Sequence, residues 1–221
     1  CGVLLPGVQT NSIAAAMENA FHIAPAVSGT IIVILLGLII FGGVRRIAQV
    51  TQIVVPFMAL GYMLAAAVVV VLNSEQLPGV IVLIVSSACG AEAGFGAMMG
   101  LAIQWGVKRG VYSNEAGQGT GPHAAAAAEV SHPAAQGLVQ AFSVYVDTLF
   151  VCTATALMIL IAGTYNVTGA DGALVFTGLA NISAGTGFTQ AAMESVLPGF
   201  GATFVAVALF FFAFTTVLAH Y

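Results

Sequence analysis

The 221 residues are 60% hydrophobic and only 5% charged, with a formal net charge of −4, whereas soluble domains carry about 25% charged residues. That balance excludes an ordinary soluble domain, and four basic residues in the whole chain exclude a nucleic-acid-binding surface. Cys1, Cys89 and Cys152 follow no metal-ligand spacing and read as small apolar side chains.

Six apolar segments follow one another, at residues 1–22, 27–43, 53–72, 79–107, 136–162 and 198–221, to be read against a hydrocarbon core of about 30 Å. The first carries Pro6-Gly7-Val8-Gln9-Thr10-Asn11-Ser12. Amides and hydroxyls inside an apolar helix bond either a ligand or a neighbouring helix; Asn11 and Ser12 read as interhelical. Arg45-Arg46 follows the second segment and Lys108-Arg109 the fourth, while the intervening Asn73-Ser-Glu-Gln-Leu-Pro78 has no basic residue. Two spans lie between the pairs, so both pairs return to one face, which the positive-inside rule makes cytoplasmic. The segments then alternate, the first running outward and the last inward.

The fourth segment is interrupted by Gly90-Ala91-Glu92-Ala93-Gly94-Phe95-Gly96. Each glycine weakens a helix by up to about 1 kcal/mol, and a carboxylate at midplane depth costs at least about 2.5 kcal/mol. Unwound backbone lining a cavity tolerates such costs, so residues 90–96 are expected to be non-helical. A small-residue packing face with Glu92 reaching the outer interface is the competing explanation.

Residues 106–148 form a polar, glycine-rich connection. Ser113-Asn114-Glu115-Ala116-Gly117 offers helix-capping side chains and turn glycines, and the run Ala124 to Glu129 predicts a short cytoplasmic helix. Asp147, towards the cytoplasmic end of its span, is expected to pair with Lys108 or Arg109. Residues 163–197 read as an outer loop. The last segment ends Phe210-Phe211-Phe212-Ala213-Phe214-Thr215-Thr216, where paired hydroxyls either coordinate a hard cation or bond back to the preceding turn.

The order Ser113 to Gly117, then Ser131-His132-Pro133, Gln136-Gly137-Leu138 and Asp147-Thr148 resembles the bacterial sodium:alanine symporter family. The resemblance implies an all-α membrane protein, part of a LeuT-like inverted-repeat transporter with about six transmembrane helices here, one of them broken. The broken span is then similar to the sixth core helix of that plan, whose unwound helices carry the substrate at the midplane. It further implies a substrate set of Gln9, Gly94, Phe95, Met99 and Thr216, with Thr215 and Thr216 as Na⁺ ligands. Phe95 and Met99 suit a tight apolar wall, and Glu92, Asn114 and Glu115 are the helix-break and gate candidates, the last two at the inner mouth. His220 departs from the family, whose members have an aromatic Trp there.

The implied function is sodium-coupled import of alanine, glycine or a similar small neutral amino acid by alternating access, with no cofactor beyond the coupling Na⁺. The implied place is the lipid bilayer of the bacterial inner membrane, crossed many times. A proton-coupled carrier of the same fold is the alternative, since Glu92, Asp147 or His220 can titrate. A channel lacks its filter loops and charged rings here. For a membrane enzyme, Ser113, His123 and His132 supply parts of a triad, but Gly-x-Ser-x-Gly and His-Glu-x-x-His are missing from the sequence. The chain is expected to be one transmembrane domain over 1–221 and an internal piece of a longer carrier, without its first core helix and its C-terminal helices. Cysteine-accessibility labelling at Arg46 and at Lys108 is expected to find both on the same membrane face; labelling from opposite sides would reject the topology.

Overall fold

A computed structural model describes residues 5–89, 95–113, 120–126, 128–168, 174–180, 182 and 185–219. The chain divides into two compact units, one of residues 1–69 and 154–221 and the other of residues 70–153.

The first unit opens with α1, Leu5–Phe21, in which Pro6 stands in the first turn, where its missing N–H costs nothing. His22, at a positive φ of 56°, ends it. Pro25 then begins α2, Pro25–Ile40. The helix α3, Gly43–Leu72, is longer than the expected segment 53–72 and takes Arg45 and Arg46 into its first turn; it keeps Pro56 in its interior. Its two faces are sorted in the sense opposite to a soluble protein. Ile53, Phe57, Leu60 and Leu64, spaced by three and four residues, are exposed, Phe57 by 77%, whereas Tyr62, Ala66 and Val69 are buried. An apolar stripe of that kind faces lipid or another membrane helix. On the buried side the Tyr62 hydroxyl lies 2.6 Å from that of Thr155, and its ring meets Phe212 edge-on at 5.7 Å.

The first unit closes with a short hairpin and two helices. β1, Asn166–Thr168, pairs antiparallel with β2, Leu174–Thr177. The Asn166 amide donates to the Leu179 carbonyl and accepts the Leu179 N–H, at 2.9 and 3.0 Å. This hairpin, and the helix α9, Thr186–Val196, correct the all-α expectation and the reading of 163–197 as loop. The hairpin is too short, and α9 too polar, to announce itself by periodicity in an apolar chain. α10, Gly201–Ala219, follows after one turn. A Cβ on Gly201 would overlap the backbone of Met193 and Glu194, so glycine is what lets α9 and α10 approach this closely.

α10 packs most extensively on α1, and α2 and α9 flank the pair. Ile13, Ile32, Ala213, Phe214 and Leu218 form its buried cluster, while Ala16, Ala192 and Ala206 are fully buried. Small side chains at these seams let the backbones close, which is how helices associate where lipid removes the hydrophobic drive. One buried polar group crosses the seam. The Gln190 amide donates to the Ala16 and Ala202 carbonyls at 3.0 and 3.3 Å and accepts from Asn19 at 3.4 Å.

In the second unit α4, Leu77–Cys89, precedes α5, Phe95–Ser113. Phe95 and Gly96 are helical, which corrects the non-helical reading for those two residues: the glycines do not outweigh the propensity of the following apolar turn. Residues 90–94, with Glu92 and Gly94, lie outside the described residues. α6 occupies Thr120–Ala126, earlier than the expected 124–129, because Thr120 and Pro122 start it. From Pro133 one continuous helix runs to Ala162, as α7, Pro133–Tyr145, a π-helical turn at Val146–Cys152, and α8, Thr153–Ala162. His132 caps this helix, its Nδ1 accepting the Ala134 N–H at 3.1 Å, with Pro133 at the first position.

Among the described residues three helices are long and apolar enough to cross a membrane, Arg45–Leu72, Pro133–Ala162 and Gly201–Ala219, and Pro25–Ile40 and Ser74–Ser87 are shorter apolar helices. The molecule is thus a mostly helical membrane protein.

At the start of α10 the Glu194 carboxylate accepts the Ala202 N–H at 2.8 Å and also the Gly199 N–H. The Ala202 bond, then that of Gly199, hold this carboxyl below the ordinary glutamate range, against a smaller opposing effect of desolvation. A depressed value in the folded state contributes stability above the unfolded value, and that contribution is lost as pH falls through the folded one. Amide exchange at Gly199 and Ala202 is therefore expected to be faster in Glu194→Gln than in wild type at pH 7. The two proteins should converge in acid; equal exchange at pH 7 would remove the cap.

Candidate functional site

Of the expected site residues, Gln9, Thr215 and Thr216 fall in the first unit, on the two helices that pack most closely. In α1 the Thr10 hydroxyl donates to the Pro6 carbonyl at 2.8 Å and that of Ser12 to Val8 at 3.0 Å. Asn11 is exposed, and the Ser12 hydroxyl is engaged within its own helix. Gln9 differs from its neighbours. Its Oε1 is buried and has no hydrogen-bond partner among the described residues, an arrangement that costs about 1–3 kcal/mol if nothing donates to it.

In α10 the Thr215 hydroxyl, buried, donates to the Phe211 and Phe212 carbonyls at 2.9 and 3.0 Å. The Thr216 hydroxyl donates to Phe212 at 3.0 Å. This is the back-bonding pattern, and it is compatible with cation coordination: a hydroxyl that donates its proton to a carbonyl keeps its lone pairs as acceptors. On the same helix the rings of Phe210 and Phe214 stack 5.5 Å apart. Ile13 clusters with Ala213, Phe214 and Leu218, and the Gln190 amide bridges Ala16 to Ala202. α1 and α10 are therefore antiparallel, and Gln9, one turn before Ile13, stands towards the end of α10 that carries the threonines.

In the second unit Phe95 and Met99 are four residues apart at the start of α5, hence on one face of it; their side chains lie outside the description, as do Glu92, Gly94, Asn114, Glu115 and His220 altogether. Trp105 carries the basic pair, with Lys108 Nζ 4.6 Å and the Arg109 guanidinium carbon 5.6 Å from the ring centroid. The expected pairing of Asp147 with one of these cations is thereby corrected. Asp147 instead accepts the Ser113 hydroxyl at 2.7 Å, and the Cys152 sulfur lies 3.8 Å from both oxygens. The π turn accounts for this, because its five-residue register brings Cys152 over Asp147 and turns both towards α5.

With Ser113 on a carboxylate and His132 spent on a helix cap, those two residues are not joined as in a hydrolase triad. Sequence reasoning missed Gln190, Glu194 and the Tyr62–Thr155 contact; for the last, polar side chains in apolar helices were the available signal, whereas Gln190 and Glu194 lie in the polar α9, which offers none.

The model of the sodium:alanine symporter family matches residues 1–221. The chain is 64% identical over 218 residues to the Bacillus subtilis (strain 168) protein YrbD, named for alanine carriage, covering 99% of this chain and 45% of that one. It is 56% identical over 220 residues to the sodium/proton-dependent alanine carrier protein of Bacillus sp. (strain PS3), covering 99% and 49%. With the sodium/alanine symporter AgcS of Methanococcus maripaludis it shares 42% over 211 residues, covering 96% and 44%. The chain thus spans about half the length of these relatives, which are named as transporters and not as enzymes. By its sequence from end to end, the chain belongs to the sodium:alanine symporter family.

Proposed function

We propose that this chain forms part of a sodium-coupled carrier that imports alanine, or a similarly small neutral amino acid such as glycine, by alternating access across a bacterial inner membrane. What supports the reading most is the buried Oε1 of Gln9, without a partner among the described residues, on the helix packed against the one that carries Thr215 and Thr216. An acceptor left unbonded in a dry seam suits the ammonium group of an amino acid, which brings three donors and a compensating charge. Thr215 and Thr216 offer neutral oxygen, the ligand type that Na⁺ prefers, without adding charge to the membrane interior. From the family resemblance, Gly94, Phe95 and Met99 are proposed as further substrate residues, and Asn114 and Glu115, just beyond α5, as residues of the inner gate. Six spans of a LeuT-like inverted-repeat carrier, with the break near Glu92, remain the proposed architecture.

Replacing both threonines by valine keeps shape and removes two oxygens. In the full-length carrier the half-saturation for sodium should rise at least tenfold, or about 1.4 kcal/mol, at similar abundance in the membrane. Apparent alanine affinity at fixed sodium should fall with it, because two ligands that favour each other do so reciprocally. Uptake assays with unchanged sodium dependence would return both residues to helix packing.

Gln9→Leu should act on the other ligand. Alanine binding measured at saturating sodium is expected to weaken about tenfold or more, as expected when a buried hydrogen bond to a charged group is lost, while the sodium requirement stays. Unaltered alanine affinity would remove Gln9 from the pocket.

The names of the two Bacillus relatives given above leave room for a second cation. A carrier of this fold that also accepts protons needs a titratable group that the Gln9 and threonine site does not contain.

A further inference from the structure

Asp147 is the one carboxylate within the three long apolar helices, and its contact with Ser113 sets it level with the inner end of α5. A carboxylate in such a segment is costly and is kept where it has work to do. The helix is also locally widened there. The π turn Val146–Cys152 contains Asp147, the Thr153 hydroxyl donates across it to the Thr148 carbonyl at 3.1 Å, and π turns of this kind gather at functional positions. The other partner comes from α5, whose last residue, Ser113, donates to Asp147 Oδ2 at 2.7 Å.

We propose that Asp147 is a proton-binding site of the carrier, read out by Ser113 at the inner end of α5. The proposal rests on the reading of the chain as part of a cation-coupled carrier. The surroundings favour a proton over Na⁺. A sodium ion needs several oxygen ligands, and among the described residues the carboxylate is joined by one hydroxyl and by the thiol of Cys152, 3.8 Å away, which is a poor ligand for a hard cation. A proton needs only the carboxylate. When it adds to Oδ2 the charge is lost, the new O–H donates to Ser113 Oγ, and the Ser113 proton turns away to another acceptor. The contact between α5 and the long helix then changes from a charge-assisted bond to a weaker neutral one.

The titratable or charged groups on the surrounding elements are Lys108, Arg109 and Tyr112 on α5, His123 on α6, Glu129 and His132 ahead of α7, and Tyr145 and Cys152 on the same helix. Lys108 and Arg109 lie over Trp105, and His132 Nδ1 is engaged by the Ala134 N–H.

The test uses the full-length carrier in proteoliposomes, with alanine uptake driven either by sodium at equal pH or by an inward proton gradient in sodium-free medium. Wild type should use both gradients. Asp147→Asn keeps the acceptor for Ser113 but cannot take up a proton. It should lose proton-driven uptake at least tenfold, keep sodium-driven uptake within about twofold, and show a flattened pH profile, while Asp147→Glu restores the proton-driven mode. Ser113→Ala removes a donor to the charged form, so the midpoint of the pH profile of proton-driven uptake should move.

Proton-driven uptake that survives in Asp147→Asn would overturn the proposal. So would a raised sodium half-saturation with an unchanged pH profile, which makes Asp147 a sodium ligand. Wild-type uptake on sodium alone, with no proton-driven mode, overturns it and leaves the carrier reading standing; no uptake on either gradient removes both. If Asp147→Asn does not reach the membrane, Ser113→Ala decides, and an unmoved midpoint refutes the proposal.

Discussion

The seam between α1 and α10 is the constraint on which the first unit depends. Within a bilayer there is no water to drive apolar surfaces together, so two helices stay paired only through close packing and through polar groups that find no better partner elsewhere. Both devices meet at this seam. Ala16 and Ala206 are fully buried, which brings the backbones near, and the Gln190 amide engages the Ala16 and Ala202 carbonyls and the Asn19 amide. A buried primary amide has few ways to satisfy so many bonds at once. It therefore fixes the register of α1 against α10 more sharply than apolar contacts, which tolerate sliding. That register sets which end of α10 lies level with Gln9.

The helix termini follow from the same scarcity of water. A helix that begins near the hydrocarbon boundary must dispose of its first N–H groups locally. Three of them do so with different chemistry: Pro25 removes a donor at the head of α2, Pro133 does the same beside the His132 cap, and Glu194 supplies a carboxylate to Ala202 and Gly199. The Ser-His-Pro wording at 131–133 is explained by helix initiation without any need for catalysis.

How much of this was legible in the sequence depends on the range of the interaction. Apolar runs and basic pairs are local signals, and they led to the long helices within a few residues, because hydropathy over some twenty positions is insensitive to tertiary context. The extension of α3 back to Gly43 was not legible, since Arg45 and Arg46 are as compatible with a helix as with a connection. The hairpin Asn166–Thr177 was missed for a different reason. Three and four residues of strand carry almost no period, and what holds them, the Asn166 side chain on Leu179, looks in sequence like any loop asparagine. The threonine pair and Gln9 are legible as motifs. The bonds of Gln190 and the contact of Ser113 with Asp147 are not, because they join residues far apart in the chain, and a π turn leaves no mark in composition.

Charge placement within the spans is consistent with two kinds of cation chemistry kept apart. Thr215 and Thr216 are neutral groups bonded back to their own helix, so under the proposed reading the charge at that place comes with the ligands. Where Asp147 sits, the protein supplies the negative charge itself, and a proton can cancel it without any ligand shell. Neutral oxygens cannot hold a proton at ordinary pH, whereas a carboxylate can take one without a shell of further ligands. A carrier that draws on both gradients therefore has a physical reason to use hydroxyls for one cation and an acid for the other.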